Sequence, residues 1–461
     1  MKIIKILFFA SITLATYAQQ KSATTPPNIV LIFADDMGYG DMEAFGHPTI
    51  KTPNLNKMAY EGQRWTNFYV AESVCTPSRA GLMTGRLPVR SGMCSDSQKR
   101  VLYATSKGGL PNTEITIATT LKKGGYATGM VGKWHLGHLP QFAPNAHGFD
   151  YYYGIPYSND MDHKFEGTGL NYFQASANPK IEYFNVPLMR NTEIIEQPTQ
   201  QTTITKRYTH EAQKFIEQNK KKPFFLYLAH SMPHVPLFAS DDFKGKSRRG
   251  IYGDVIEELD WSVGQILETL KKNKLDKNTL VIFTSDNGPW LTFNENGGSA
   301  GLLKGGKGGT YEGGMREPTI FWGPGLLKSG TVMEMATTLD LLPTFSKLAN
   351  IQLPKDRIYD GYDISPVIFG KGANPRDEVF YYRGTKVYAI RKGAFKAHFI
   401  TQPEYGGGET IHEKPLLYNL DIDPSEKYDI ADKYPEVIME IKQILAKHLE
   451  TVVKVESQLE K

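Results

Sequence analysis

Four continuous apolar runs, each ending abruptly in polar residues, constrain this chain more than any other feature of its sequence. Asn28–Ala34 runs into Asp35-Asp36, and residues 128–132 run into Lys133-Trp134-His135. Phe224–Ala229 runs into His230 and His234, and residues 280–284 run into Ser285-Asp286-Asn287-Gly288. A half-exposed strand alternates apolar with polar residues, so unbroken runs belong to central strands of a parallel sheet covered on both faces. Helical spacing lies between them. Thr113 is placed to cap a helix through Lys123, and Ile251, Val255, Leu259, Val263, Ile266 and Leu270 mark one face of a longer helix. Strands alternating with helices predict an α/β fold with a mostly parallel sheet. In such sheets ligands bind beyond the carboxyl ends of the strands, where this sequence sets Asp, Asn, Lys and His.

The two ends of the chain read differently. After Pro366 a Gly/Pro-containing stretch leads to Arg376; residues 379–399 then alternate as antiparallel strands do, and 436–453 have helical spacing. This predicts a main unit over 25–375 and a C-terminal α+β unit over 376–461, with a small antiparallel sheet and a closing helix. At the other end, Lys2 and Lys5 precede the apolar run Ile6 to Ala15, and Ala18 stands just before Gln19. That is the pattern of a secretory signal peptide over 1–18. A spanning helix needs about 20 apolar residues, more than this run offers. The expected location is secreted or periplasmic, with no membrane span after cleavage.

Composition excludes other classes. With 40% hydrophobic and 22% charged residues the 461-residue chain is not of the disordered kind. Lys+Arg 53 against Asp+Glu 49, with no basic tract, gives no footprint for nucleic acid. A preference for anions must come from a local site. The two cysteines, Cys75 and Cys94, allow one disulfide in an oxidising compartment and are too few for a thiolate metal site.

Asp35-Asp36 and Asp286-Asn287 supply four hard oxygen-bearing side chains at two strand ends. Such residues also cap turns; as ligands they suit Ca²⁺ or Mg²⁺ rather than Zn²⁺. Cys75 precedes Thr76-Pro77-Ser78-Arg79, and a proline in the first turn puts Cys75 at a helix N-terminus, where amides favour an anion. From the residues alone, a reactive thiolate beside an anion site is the expected nucleophile.

Cys75-Thr76-Pro77-Ser78-Arg79 resembles the C-x-P-x-R signature of the formylglycine-dependent sulfatases, and the run to Gly85-Arg86 continues it. Asp35-Asp36, Gly132–Gly137, Pro233–Pro236, Asp286–Gly288 and Gly306–Gly314 appear in the family's order. Gly154–Asp160 is similar to the arylsulfatase A and N-acetylgalactosamine-6-sulfatase branch. The resemblance implies an alkaline-phosphatase-like fold, with a large mixed, mostly parallel sheet flanked by helices, and makes 25–375 the catalytic domain.

It also implies the roles. Cys75 would be oxidised to formylglycine by a maturation enzyme, and the aldehyde hydrate would be the nucleophile. One hydroxyl attacks sulfur and releases the alcohol; the other then drives sulfate out. Asp35, Asp36, Asp286 and Asn287 would hold one Ca²⁺, or Mg²⁺ in its place, with residue 75 completing the shell. Arg79, Lys133 and His135 would contact the hydrate, His135 as the base for its second hydroxyl. Lys307 and His234 would bind sulfate from the leaving-group side, His234 as proton donor, with Ser158 hydrogen-bonding nearby; His230 is the competitor for that role. The implied substrate is a sulfated carbohydrate or aryl sulfate. Two other readings stay open: a phosphonate or phosphate ester hydrolase of the same superfamily, and an unmatured glycan-binding pseudoenzyme. Tyr152, Tyr153, Tyr157 and Trp290 are candidates for a sugar site or for packing.

Overall fold

A computed structural model describes residues 25–97, 99–403, 405 and 407–461; the segment 1–18, expected to be a signal peptide, lies outside them. Ten strands form the main sheet: β1 (Asn28–Ala34), β2 (Gln63–Tyr69), β3 (Ala127–Gly132), β4 (Tyr151–Gly154), β5 (Leu188–Arg190), β6 (Glu193–Glu196), β7 (Phe224–Ala229), β8 (Thr279–Ser285), β9 (Thr319–Trp322) and β10 (Gly330–Thr337). Their order is β10-β2-β9-β8-β1-β7-β3-β4-β5-β6. The four apolar runs are therefore neighbours, β8-β1-β7-β3, paired parallel at the centre of the sheet. Every residue of these four strands is buried, so each side chain faces a covering layer. Antiparallel pairs enter only around β9 and beyond β4, which makes the sheet mixed.

Helices cover both faces. The segment Gly250–Lys272 is the long helix, with Val255, Leu259, Val263, Ile266 and Leu270 buried against one face of the sheet. The shorter predicted helix is corrected at its start. It runs Ile117–Lys123, because Thr116 is extended and its hydroxyl accepts the Thr119 N–H, closing the N-terminus three residues after Thr113.

The C-terminal sheet is β11 (Glu378–Arg383), β12 (Lys386–Lys392), β13 (Phe395–Thr401) and β14 (Thr410–Asn419), all antiparallel, closed by the helix Pro435–Glu450. A buried charge cluster ties it to the main sheet. Glu312 accepts hydrogen bonds from Tyr69 of β2 (2.8 Å), Tyr381 of β11 (2.7 Å), Arg316 (2.6 Å) and Lys396 of β13 (2.9 Å). Lys396 also reaches Glu426 at 3.0 Å, and Glu426 takes the Glu312 backbone N–H and the ring of His398. Burial pushes Glu312 up, and Arg316 and Lys396 more than reverse this, holding it well below the usual carboxylate range.

Removing one member of such a cluster leaves a buried charge uncompensated. Lys396→Met is accordingly expected to cost about 3–5 kcal/mol in chemical denaturation at neutral pH. Because the folded Glu312 value is depressed, its stabilisation is complete above the unfolded carboxylate value and disappears as pH falls through the folded one. A stability indistinguishable from wild type would show that the cluster is energetically idle.

Candidate active site

The carboxyl ends of β1, β3 and β8 converge on Cys75, the first residue of the helix Cys75–Thr84. Asp35 and Asp36 leave β1, Lys133 and His135 leave β3, and Asp286 and Asn287 leave β8. His234 arrives from the loop after β7, Ser158 from the loop after β4, and Lys307 from the glycine-rich loop before β9. All the residues expected to form the site are brought together and buried.

The local backbone shows why these positions are special. Asp36 (φ 64°) and His135 (φ 59°) both lie in the left-handed region, a strain of about 1–3 kcal/mol each that the surrounding structure must hold. Gly132, at φ 117°, lets β3 end against β7: a Cβ there would stand 1.7 Å from the Ala229 carbonyl oxygen. The chain then turns so that Lys133 N–H binds that same carbonyl at 2.8 Å and its side chain enters the site. The loop of Lys307 is fixed at its backbone: Lys307 N–H donates to Pro289 O and Gly308 N–H to Ser73 O.

The charges balance one against one. Lys133 Nζ sits 2.6 Å from Asp35 Oδ2, and Lys307 Nζ 2.8 Å from Asp36 Oδ2. Arg79 binds Asp286 Oδ2 through Nε (3.0 Å) and one terminal nitrogen (2.8 Å), and lies 3.3 Å from Asp35 Oδ1. Burial pushes Asp35 up, but Lys133, Arg79 and Lys307 hold it below its ordinary value. Asp36 is carried to about 7 by burial and by Asp35 and Asp286, against the pull of Lys307.

Three carboxylates and three cations make a neutral cluster, and a divalent ion among them leaves excess positive charge for an anionic substrate. Ligand atoms of Asp35, Asp36, Cys75 and Asp286 all lie within 4.8 Å of one another. Asn287 gives its Nδ2 to Asp36 Oδ1 (2.7 Å), while its Oδ1 is buried and unpartnered among the described residues. Exchange of the two similar amide atoms would set a fourth oxygen beside the carboxylates. This donor set, all hard oxygen apart from position 75, fits Ca²⁺ or Mg²⁺.

Cys75 itself departs from the simplest expectation. Its Sγ faces Asp35 Oδ1 at 3.6 Å and Asp36 Oδ1 at 3.9 Å, and burial pushes the thiol well above its ordinary value despite Lys133 and Lys307. An ordinary reactive thiolate is disfavoured here. No disulfide forms either, since Cys75 and Cys94 are both free and buried.

The two histidines expose different nitrogens. His234 is tied through Nδ1 to the Val235 carbonyl; its Nε2 lies 3.5 Å from Ser158 Oγ and 3.6 Å from Asp36 Oδ2. Ser158 Oγ also accepts from Lys133 Nζ at 3.1 Å. His135 holds the Leu102 carbonyl with Nε2 at 2.8 Å and keeps Nδ1 buried and unpartnered among the described residues. Burial and neighbouring lysines push both imidazoles well below their ordinary value. His230, the competitor, is 3.2 Å from Ser262 and outside the cavity, a packing histidine.

A cavity of about 550 Å³ opens above Cys75, lined among others by His135, Ser158, His234, Trp290 and Lys307. Trp290 stands beneath Lys307 Nζ, 4.3 Å from the ring centroid. Tyr152 and Tyr153 are core residues of β4, and Tyr157 is likewise buried. Sequence reasoning missed Asp160, His163, Tyr172 and Tyr405, which also line the cavity. Asp160 is two residues from Ser158, so a scan of that segment could have found it; nothing local marks Tyr405.

A large mixed α/β sheet that gathers a carboxylate cluster and buried lysines at its strand ends has the architecture of the alkaline-phosphatase-like hydrolases. Residues 27–351 match the sulfatase family and residues 374–461 the C-terminal region of aryl-sulfatase. Arylsulfatase A of Homo sapiens is 43% identical over 451 residues, covering 91% of this chain and 87% of its own. N-acetylgalactosamine-6-sulfatase of Mus musculus is 39% identical, covering 95% and 89%. Among solved structures, the PsFucS1 sulfatase from Pseudoalteromonas sp. has a TM-score of 0.83 at 28% identity, covering 94% and 92%. Ps i-CgsB, in complex with k-i-k-neocarrahexaose, has a TM-score of 0.76 at 32% identity, covering 93% and 94%. The chain belongs to the sulfatase family, and its relatives are sulfuric ester hydrolases.

Proposed function

We propose that this protein is an exported sulfatase that hydrolyses a sulfate ester on a carbohydrate, with formylglycine at position 75 and Ca²⁺ on Asp35, Asp36, Asp286 and Asn287. The observation that carries the reading is Cys75 at a helix N-terminus, within reach of those carboxylates and of three buried cations. Relatives named arylsulfatase A and N-acetylgalactosamine-6-sulfatase, and a structural neighbour in complex with k-i-k-neocarrahexaose, support the sulfated-carbohydrate class.

When bound, the cation polarises the sulfate group and the aldehyde hydrate supplies two hydroxyls, one to attack sulfur and one to release sulfate. The chain's own residues do the rest. Lys133 and Lys307 each hold a carboxylate; Lys307 lines the cavity and Lys133 lies behind Ser158, so the two are placed to clamp the sulfate oxygens. Arg79 fixes Asp286 and Asp35 and keeps the carboxylates apart. His234 Nε2 faces the leaving oxygen and delivers its proton; His135 Nδ1 takes the proton from the second hydroxyl. Ser158 links Lys133 to His234 and orients both.

Mass spectrometry of the peptide containing Cys75 tests the first half of the reading. The expected result, in protein made with a formylglycine-generating enzyme, is the mass loss of thiol-to-aldehyde conversion. Only unmodified cysteine in active protein would overturn it. Calcium is tested without activity: at about 100 times its Kd, Ca²⁺ should stabilise the fold by about 2.7 kcal/mol. Asp286→Ala should abolish that gain. Stabilisation by Zn²⁺ alone would contradict the oxygen donor set.

A further inference from the structure

The cations at the site face the carboxylates of the strand ends, whereas a further part of the cavity lining is acidic, beginning at Asp160 beside His234. The segment 160–166 contributes Asp160, Asp162 and Glu166 to that lining. Asp160 is 9% exposed; its Oδ2 accepts the Tyr172 hydroxyl at 2.6 Å, and its Oδ1 is buried without a partner among the described residues. Asp162 accepts from Asn185 at 2.9 Å and has Lys164 at 3.6 Å, an ammonium largely in solvent. Glu166 is exposed and has no partner among the described residues. Among the described residues, the one lysine or arginine lining the cavity is Lys307, which is committed to Asp36. Trp290 offers an aromatic face to the cavity beside Lys307 and His234.

Resting on the sulfatase reading above, we propose that Asp160, Asp162 and Glu166 act as a charge filter on the leaving group. They admit sulfate esters of neutral or ammonium-bearing alcohols and reject those whose alcohol carries a carboxylate. A hydroxyl or ammonium group of the leaving alcohol donates to this acidic wall. A carboxylate has no proton to give, and it meets like charge where the cavity walls screen poorly. No unclaimed lysine or arginine of the described lining compensates for a second anion. Discrimination therefore comes from a repulsive element rather than from an extra contact to the preferred substrate.

The test uses three aryl sulfates of nearly equal phenol acidity: tyramine O-sulfate, 4-sulfooxyphenylacetamide and 4-sulfooxyphenylacetate. With matured enzyme, kcat/KM should fall in that order, by about tenfold or more between the first and the last. The difference should lie mainly in KM, because the charge is remote from sulfur. It should also shrink in high salt, since Asp162 and Glu166 are open to solvent. The double variant Asp162→Asn, Glu166→Lys should compress the ratio; asparagine tolerates the left-handed backbone at 162 (φ 56°). Equal kcat/KM for the three esters overturns the filter, and an unchanged ratio in the double variant removes its assignment to these side chains. Failure to hydrolyse any of the three by protein carrying formylglycine at position 75 counts against the sulfatase reading instead.

Discussion

His234→Ala is expected to lower kcat/KM for a sugar sulfate by about 10²–10⁴-fold while costing an activated aryl sulfate far less. A nitrophenolate leaves without a proton, but a sugar alkoxide does not, so general acid catalysis matters only for the latter. The geometry selects the nitrogen. Nδ1 is occupied by the Val235 carbonyl, and Nε2 faces the cavity beside Ser158. Burial and the charges of Lys307 and Lys133 push His234 well below its ordinary value, and Asp160 opposes them. A sulfate monoester bound between the lysines adds negative charge on the side of Asp160 and favours the protonated ring. Steady-state kinetics of the variant on one aryl and one sugar sulfate measure the effect. Equal losses on both would remove His234 as the proton donor, and Lys307, the other donor on that wall, would replace it.

What the sequence reveals about this fold follows from burial. The strands β8, β1, β7 and β3 are covered on both faces, so their apolar runs are unbroken and their polar exits stand out. β2 mixes Gln63, Arg64 and Asn67 with Trp65 and Phe68, and β10 exposes much of its first half, so neither carries a clean period. The short strands β5 and β6 are edge pieces whose pairing depends on turns rather than on apolar pattern. Alternation over 379–399 covers most of β11–β13, but β14 begins exposed and gives no comparable signal.

The site divides in the same way. The side chains gathered at Cys75 sit in short local motifs, and their residue types already point to the proposed chemistry. Which cation neutralises which carboxylate is a long-range matter: Lys307 meets Asp36 across 271 residues, and Arg79 meets Asp286 across 207. The left-handed backbone at Asp36 and His135 is likewise imposed by the fold, since neither residue type requires it. The cluster around Glu312 and Lys396, which anchors the glycine-rich loop of Lys307 to the C-terminal sheet, is assembled from β2, β11, β13, the short helix Glu312–Met315 and the loop of Glu426. No local pattern could show it.

His135 should behave in the opposite way to His234. Its Nε2 is held by the Leu102 carbonyl, which leaves the lone pair on Nδ1, buried and unpartnered among the described residues. Burial and the Lys133 charge push its pKa well below the ordinary imidazole value, so the ring is neutral and ready to accept a proton at neutral pH. In the proposed mechanism the proton it takes belongs to the second hydroxyl at residue 75, after the alcohol has departed. Loss of this base therefore slows a step common to all substrates. His135→Ala is expected to reduce kcat about 10²–10⁴-fold and to bring aryl and sugar sulfates to one turnover rate, with a rapid initial burst of released alcohol. His135→Asn serves as the control for folding, because asparagine tolerates the left-handed backbone there and cannot act as a base. Pre-steady-state release of nitrophenol from the aryl ester reads the burst directly. A kcat that still differs between the two esters, with no burst, would place His135 outside the release step and leave it a structural residue of the β3 exit.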